Sequence, residues 1–187
     1  KDTDKSEYLT ALHNHTLPVL LNTEKVEKGD CFFIPAGTVH AICKGCYIAE
    51  IQQTSDITYR IYDYDRRDKN GNPRELHTEL ATDVINFCEQ KQHSIHYHQH
   101  ENHTEELVSC NYFTTNYLKF DKEVEKDYIE LDSFVIYMCL EGNFTLVYDV
   151  DKTVKVNKGE TILVPAILKN LFLIPETEAE ILEIYIR

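Results

Sequence analysis

The stretch "GDCFFIPAGTVHAI", Gly29 to Ile42, sets one imidazole, His40, in an otherwise apolar strand pattern. An imidazole there either ligates a metal or sits in a core satisfied by one hydrogen bond. Downstream, strand alternation puts Glu50 on a face with Ile48 and Gln52, and Arg60 on a face with Thr58, Tyr62 and Tyr64. A glutamate so placed is a ligand, a base or an ion-pair partner. A guanidinium is always charged, so Arg60 either stabilises a developing anion or pairs with a carboxylate, here Asp63 or Asp65. Lys44, Arg66, Arg67 and Arg74 are further cations that an anionic ligand would need. A second cluster, "HSIHYHQHENHTEE", spans His93 to Glu106 and contains His98-x-His100-x4-Glu105. Its spacing mimics a metal-binding set, but its polar surroundings favour an adventitious metal role or none. Cys43-Lys-Gly-Cys46 is formally C-x-x-C; without a second pair or a following helix pattern, no zinc or redox role is expected of it.

Several elements must position these side chains. Gly29 permits a tight turn into a strand, and Pro35 with Gly37 reverses the chain. His40 then projects from the return strand on the face of Thr38 and Ile42, which in a small barrel is packing or lumen. A short helix is expected from Ser6, as N-cap, to His13. Strands are expected over Cys31–Ile34, Thr38–Ile42, Tyr47–Gln53 and Ile57–Asp65. A turn follows at Asp68–Pro73, then a helix over Thr78–Gln90 with Leu80, Val84, Ile85 and Cys88 on one face. A second β series is expected at Tyr112–Phe120, Phe134–Leu140, Asn143–Asp149, Thr161–Pro165, Leu171–Ile174 and Glu180–Ile186. "VEKGDCFFIPAGTVHAI" from Val26 echoes "VNKGETILVPAILKNLF" from Val156, aligning Gly29 with Gly159, Asp30 with Glu160 and Pro35 with Pro165. Two copies of one β unit explain this, chance likeness being the alternative. Asn170 stands where the first copy has His40, so only one copy carries a side chain suited to metal.

The run Gly29-x5-Pro35-x-Gly37-x2-His40 resembles the second signature motif of the cupin barrels. "IAEIQQTSDITYRIYDYDRRDKNGNPRELH", Ile48 to His77, resembles the type I mannose-6-phosphate isomerases, particularly their short bacterial form. The resemblance implies a mainly β fold of tandem cupin (jelly-roll) barrels with a few short helices, the first barrel incomplete in this chain. It implies residues 1–90 as the C-terminal part of a zinc-site cupin domain plus a connecting helix. Residues 91–108 would be a linker, and 109–187 a second cupin-like domain without a metal site. In the family a glutamine, a histidine, a glutamate and a second histidine hold Zn²⁺. The resemblance gives the second histidine's place to His40, an active-site glutamate's to Glu50 and a catalytic arginine's to Arg60. The other ligands would lie on strands upstream, so the chain is expected to be the C-terminal part of such an enzyme. The implied reaction interconverts mannose 6-phosphate and fructose 6-phosphate through an enediol(ate). A non-catalytic cupin binding module, and an iron-dependent cupin dioxygenase using His98, His100 and Glu105, are the alternatives.

Composition narrows the partners. With 187 residues and 42% hydrophobic content, the chain can build a core. Its formal charge of −13 disfavours nucleic acid and anionic membrane, and no apolar run reaches a membrane span. A small sugar phosphate would need a local cluster of cations. The six cysteines lie mostly in apolar strand patterns and are expected as free, buried thiols in a reducing cytoplasm.

Overall fold

The computed structural model describes residues 3–55, 57–64, 66–88, 93–150 and 152–187. The chain divides into two compact units, Lys1–Ser94 and Ile95–Arg187. The fold class is mainly β with a few short helices, as expected from the sequence.

Unit one opens with α1 (Lys5–His13), capped by Asp4, not by Ser6: the Asp4 carboxylate accepts from the Glu7 N–H at 2.8 Å. Tyr8 and Ala11 form its buried face, and the Tyr8 ring meets Phe87 edge-on at 5.7 Å. A 3-10 turn at Leu17–Leu20 follows. The strand expected from Cys31 is only β1 (Cys31–Phe32), although the Phe33 N–H still donates to the His93 carbonyl at 2.8 Å. Among the described residues, Thr38–Ile42, Tyr47–Gln53 and Ile57–Tyr64 carry no strand, and Asp65 lies outside them. A strand exists only where a neighbour supplies its ladder. Alternation survives here without such a ladder, and Tyr47 and Ile57 are 93% and 65% exposed. The Asp68–Pro73 turn is present: Asp68 accepts from the Asn70 and Asn72 N–H groups, each at 2.8 Å. The second helix is shorter than expected. α2 (Thr78–Thr82) ends in tightened bonds from the Asp83 and Val84 N–H groups to Leu80 and Ala81, and the Asn86 N–H goes to the Gly37 carbonyl at 2.9 Å; Gln90 lies outside the described residues.

β2 (Ser94–Ile95) stands at the boundary. Unit two holds β3 (Thr104–Ser109), β4 (Thr114–Phe120), β5 (Val124–Asp127), β6 (Val135–Tyr148), β7 (Lys152–Asn157), β8 (Thr161–Val164) and β9 (Asn170–Tyr185). They pair antiparallel in the order β3-β4-β9-β6-β7, with β5 added on β9 and β8 on β6. The second β series expected from the sequence is thus one seven-stranded antiparallel sheet. β6 and β9 are long because each serves two sets of neighbours. Val135–Met138 pairs with β8 and with the C-terminal half of β9, whereas Asn143–Tyr148 pairs with β7. Bulges between Cys139 and Phe144 bend β6. There Gly142 has φ +71°, and a Cβ would sit 2.0 Å from the Glu178 carbonyl. The two pairs of strands expected here are therefore two continuous, kinked strands. β3 falls largely within the expected linker, and β5 and β7 are additional strands.

The core of unit two gathers Leu118, Phe120, Phe144, Leu171, Leu173 and Ile181. Each such side chain stabilises by roughly 1.5–3 kcal/mol on burial. Within this unit lies a buried polar network. Glu183 accepts from Asn116 at 2.9 Å and from the Tyr128 hydroxyl, which also bonds Tyr137. Lys126 Nζ is 3.0 Å from Glu183 and donates to Thr104 at 2.7 Å.

The sequence echo is visible as geometry. In one copy the Glu27 N–H donates to Asp30, and in the other the Asn157 N–H donates to Glu160, each at 2.8 Å. Gly29 and Gly159 both have positive φ, and Thr38 and Leu168 both donate to the carbonyl of the preceding proline, Pro35 and Pro165. The same pair of turns is built twice.

Candidate active site

His40 leaves a turn that is fixed on three sides. The Thr38 N–H donates to Pro35, Gly37 adopts φ +84°, and the Gly37 carbonyl holds the Asn86 N–H. A Cβ at Gly37 would lie 2.6 Å from the Val84 carbonyl, so only glycine lets the turn seat against the segment after α2. The His40 ring is exposed, with Nδ1 2.9 Å from the Thr38 carbonyl. A carbonyl oxygen only accepts, so Nδ1 carries the hydrogen and the Nε2 lone pair points away. That is the tautomer a metal-ligating histidine uses, with the second nitrogen steadied by a carbonyl. The expected lumen-facing strand position is not what is seen: His40 lies on an exposed segment without a ladder partner among the described residues.

Glu50 is exposed and makes no hydrogen bond or ion pair among the described residues. Arg60 is half-buried, and its main chain is gripped on both sides by His77. The His77 N–H donates to the Arg60 carbonyl at 2.7 Å, and the Arg60 N–H donates to His77 Nδ1 at 3.1 Å. Of the two carboxylates that were the alternative partners of Arg60, Asp63 is instead 3.5 Å from the Arg74 guanidinium, and Asp65 lies outside the described residues. No hydrogen bond or ion pair joins His40, Glu50 and Arg60 to one another among the described residues.

Of the remaining cations, Arg67 donates to Gly71 at 2.9 Å, Arg66 lies over the Tyr64 ring at 5.4 Å, and Lys44 is exposed. Arg66 and Arg74 line one cavity of about 320 Å³, together with His13, His15, Tyr62 and Asp63. Sequence reading gave His13 and His15 no part in a site, because they belong to α1 and the turn behind it. In the histidine cluster, His100 Nδ1 meets Glu105 at 2.5 Å, and the His98 and His100 rings are 5.9 Å apart. Among the described residues no group of three or more His, Cys, Asp or Glu side chains is placed to hold a metal ion. The iron-dioxygenase reading, which needs His98, His100 and Glu105 as one set, has no such set here. A complete zinc site is likewise not assembled by these residues: His40 fits as one donor, and one donor does not make a tetrahedral centre.

No protein-family model matches the chain. It is 35% identical over 165 residues to mannose-6-phosphate isomerase ManA of Bacillus subtilis (strain 168), covering 87% of this chain and 51% of that protein. The chain is a relative of the mannose-6-phosphate isomerases. Identity to mannose-6-phosphate isomerase of Streptococcus mutans is 53% over 66 residues, 35% of this chain and 21% of that protein. The crystal structure of the Bacillus subtilis mannose 6-phosphate isomerase overlays with a TM-score of 0.83 at 32% identity, over 100% of this chain and 58% of that one. The chain thus spans about half the length of the curated isomerase relatives it matches. Among the described residues, no helix is long and apolar enough to cross a membrane.

Proposed function

We propose that this chain serves aldose–ketose isomerisation of a sugar phosphate, interconverting mannose 6-phosphate and fructose 6-phosphate in the cytoplasm. The observation that carries the reading is the overlay of the entire chain on an isomerase of that name, at 32% identity. In such a reaction a proton moves between adjacent carbons through an enediol, and negative charge builds on the sugar oxygens. Arg60 supplies a permanent positive charge beside those oxygens and needs no proton transfer to do so. Glu50 is the second catalytic candidate, a carboxylate not tied up in an ion pair among the described residues. Arg66 and Arg74 are the candidates for the phosphate, since they share one cavity. Zn²⁺, when bound, supplies a Lewis acid at the sugar oxygens. His40 is the one residue proposed to ligate it, through Nε2. On the relatives' scale residues 1–90 then carry the catalytic groups, and 109–187 form a second cupin-like domain without a metal.

The test measures fructose 6-phosphate formation from mannose 6-phosphate by this chain with added zinc, alongside Arg60→Ala. Loss of the guanidinium is expected to lower turnover on the order of 10²–10³-fold with metal content unchanged. A turnover equal to wild type removes Arg60 from the mechanism. Absence of turnover in the wild-type chain rejects the view that it acts unaided.

A further inference from the structure

We propose that His77 is a positioning residue for Arg60, holding the peptide of the arginine through its ring as well as its main chain; the functional part of this rests on the catalytic reading of Arg60. His77 occupies the N-cap position of α2, where Ser, Thr, Asp or Asn would turn a side-chain oxygen onto the helix's free N–H groups. His77 makes no such bond. Its ring is turned the other way, and Nδ1 accepts the Arg60 N–H at 3.1 Å while the His77 N–H donates to the Arg60 carbonyl at 2.7 Å. One residue thus satisfies both main-chain groups of Arg60, seventeen positions away. The Arg60 amide is an unambiguous donor, so Nδ1 must present its lone pair and the neutral ring carries its hydrogen on Nε2.

The surroundings explain why this bond matters. The segment around Arg60 has no strand ladder among the described residues, so its backbone is not held by sheet neighbours. His77 supplies the missing constraint from a helix start, where the Ala81 N–H bonds its carbonyl at 2.9 Å. The Tyr59 and His77 ring centroids lie 6.0 Å apart. The clamp then fixes the backbone from which the Arg60 side chain departs.

The experiment compares wild type, His77→Ala, His77→Asn and His77→Gln. The asparagine carbonyl oxygen reaches the place of Nδ1, whereas glutamine keeps polarity and bulk but carries its oxygen one methylene further. The first readout is hydrogen exchange of the Arg60 amide in the chain by NMR. Protection is expected in wild type and His77→Asn, with exchange on the order of tenfold faster in His77→Ala and His77→Gln, and the unit-two amides unchanged. Equal protection in all four proteins overturns the clamp, as does His77→Gln behaving like His77→Asn. The second readout is turnover. His77→Ala is expected to lower kcat about tenfold with KM steady, and His77→Asn to restore it. Wild-type kcat in His77→Ala overturns the positioning role. If the amide follows the variants but Arg60→Ala leaves turnover intact, the clamp stands and the catalytic reading of Arg60 fails.

Discussion

At the scale of single residues, the Gly37 turn depends on local backbone alone, with φ +84° three positions before the exposed His40 ring. The grip of His77 on Arg60 joins positions seventeen apart and uses a ring nitrogen where a helix cap is the ordinary expectation, so the local sequence does not announce it. The cysteines show the same limit. Their apolar neighbours suggested burial, yet Cys43, Cys46 and Cys88 are exposed, Cys31 and Cys110 half-buried, and only Cys139 buried. An apolar strand pattern buries a thiol only when a second layer covers it. All six are free, and burial pushes the Cys31 and Cys139 thiols up, further lowering their reactivity. Native-state labelling with a maleimide, mapped by mass spectrometry, is expected to modify Cys43, Cys46 and Cys88 within minutes, and Cys139 only after denaturation. Labelling of native Cys139 at a comparable rate contradicts the packing described.

Among the elements, the two long strands of unit two differ most from the reading of the sequence. Glu141-Gly142-Asn143 looks like a hairpin break, and the Glu176–Glu178 stretch like a loop. Both are kinks inside continuous strands, because the bulge at Gly142 lets the ladder bend without ending. β5 and β7 were missed since "VEKD" and "KTVKVN" expose most of their charged side chains and bury only Lys126 and Val156. Their pairing is dictated by neighbours, not by their own hydrophobic pattern. Gly142→Ala is expected to cost about 2–4 kcal/mol, for it combines positive φ with a backbone oxygen in the way of the new methyl group. Urea unfolding followed by circular dichroism measures this. Gly45→Ala serves as a control, since Gly45 shares the positive φ but nothing lies within 4 Å of its Cβ position. It should cost clearly less, and equal losses would show that the contact with Glu178 is unimportant.

For the molecule as a whole, stability under acid turns on the carboxylate inside unit two. Burial pushes Glu183 up, but the Lys126 ammonium and the bonds from Asn116 and Tyr128 outweigh it, holding the carboxyl below its ordinary value of 4.5. A depressed carboxylate stabilises the folded state fully above its unfolded value and loses that contribution as pH falls through the folded one. Glu183→Gln, which leaves Lys126 buried without its counter-charge, is expected to lose about 3–5 kcal/mol at pH 7. The gap from wild type should narrow as pH drops below about 4. Urea midpoints at pH 7, 5, 4 and 3 decide it, and a gap constant across that series contradicts the assignment. One further consequence follows from β9, which is bonded along its length to β4, β5 and β6. Tension applied along that strand is distributed over three seams at once and loads them in shear, so no single seam can peel away first. Unit two should therefore yield under force in one abrupt rupture, with no staircase of partial extensions.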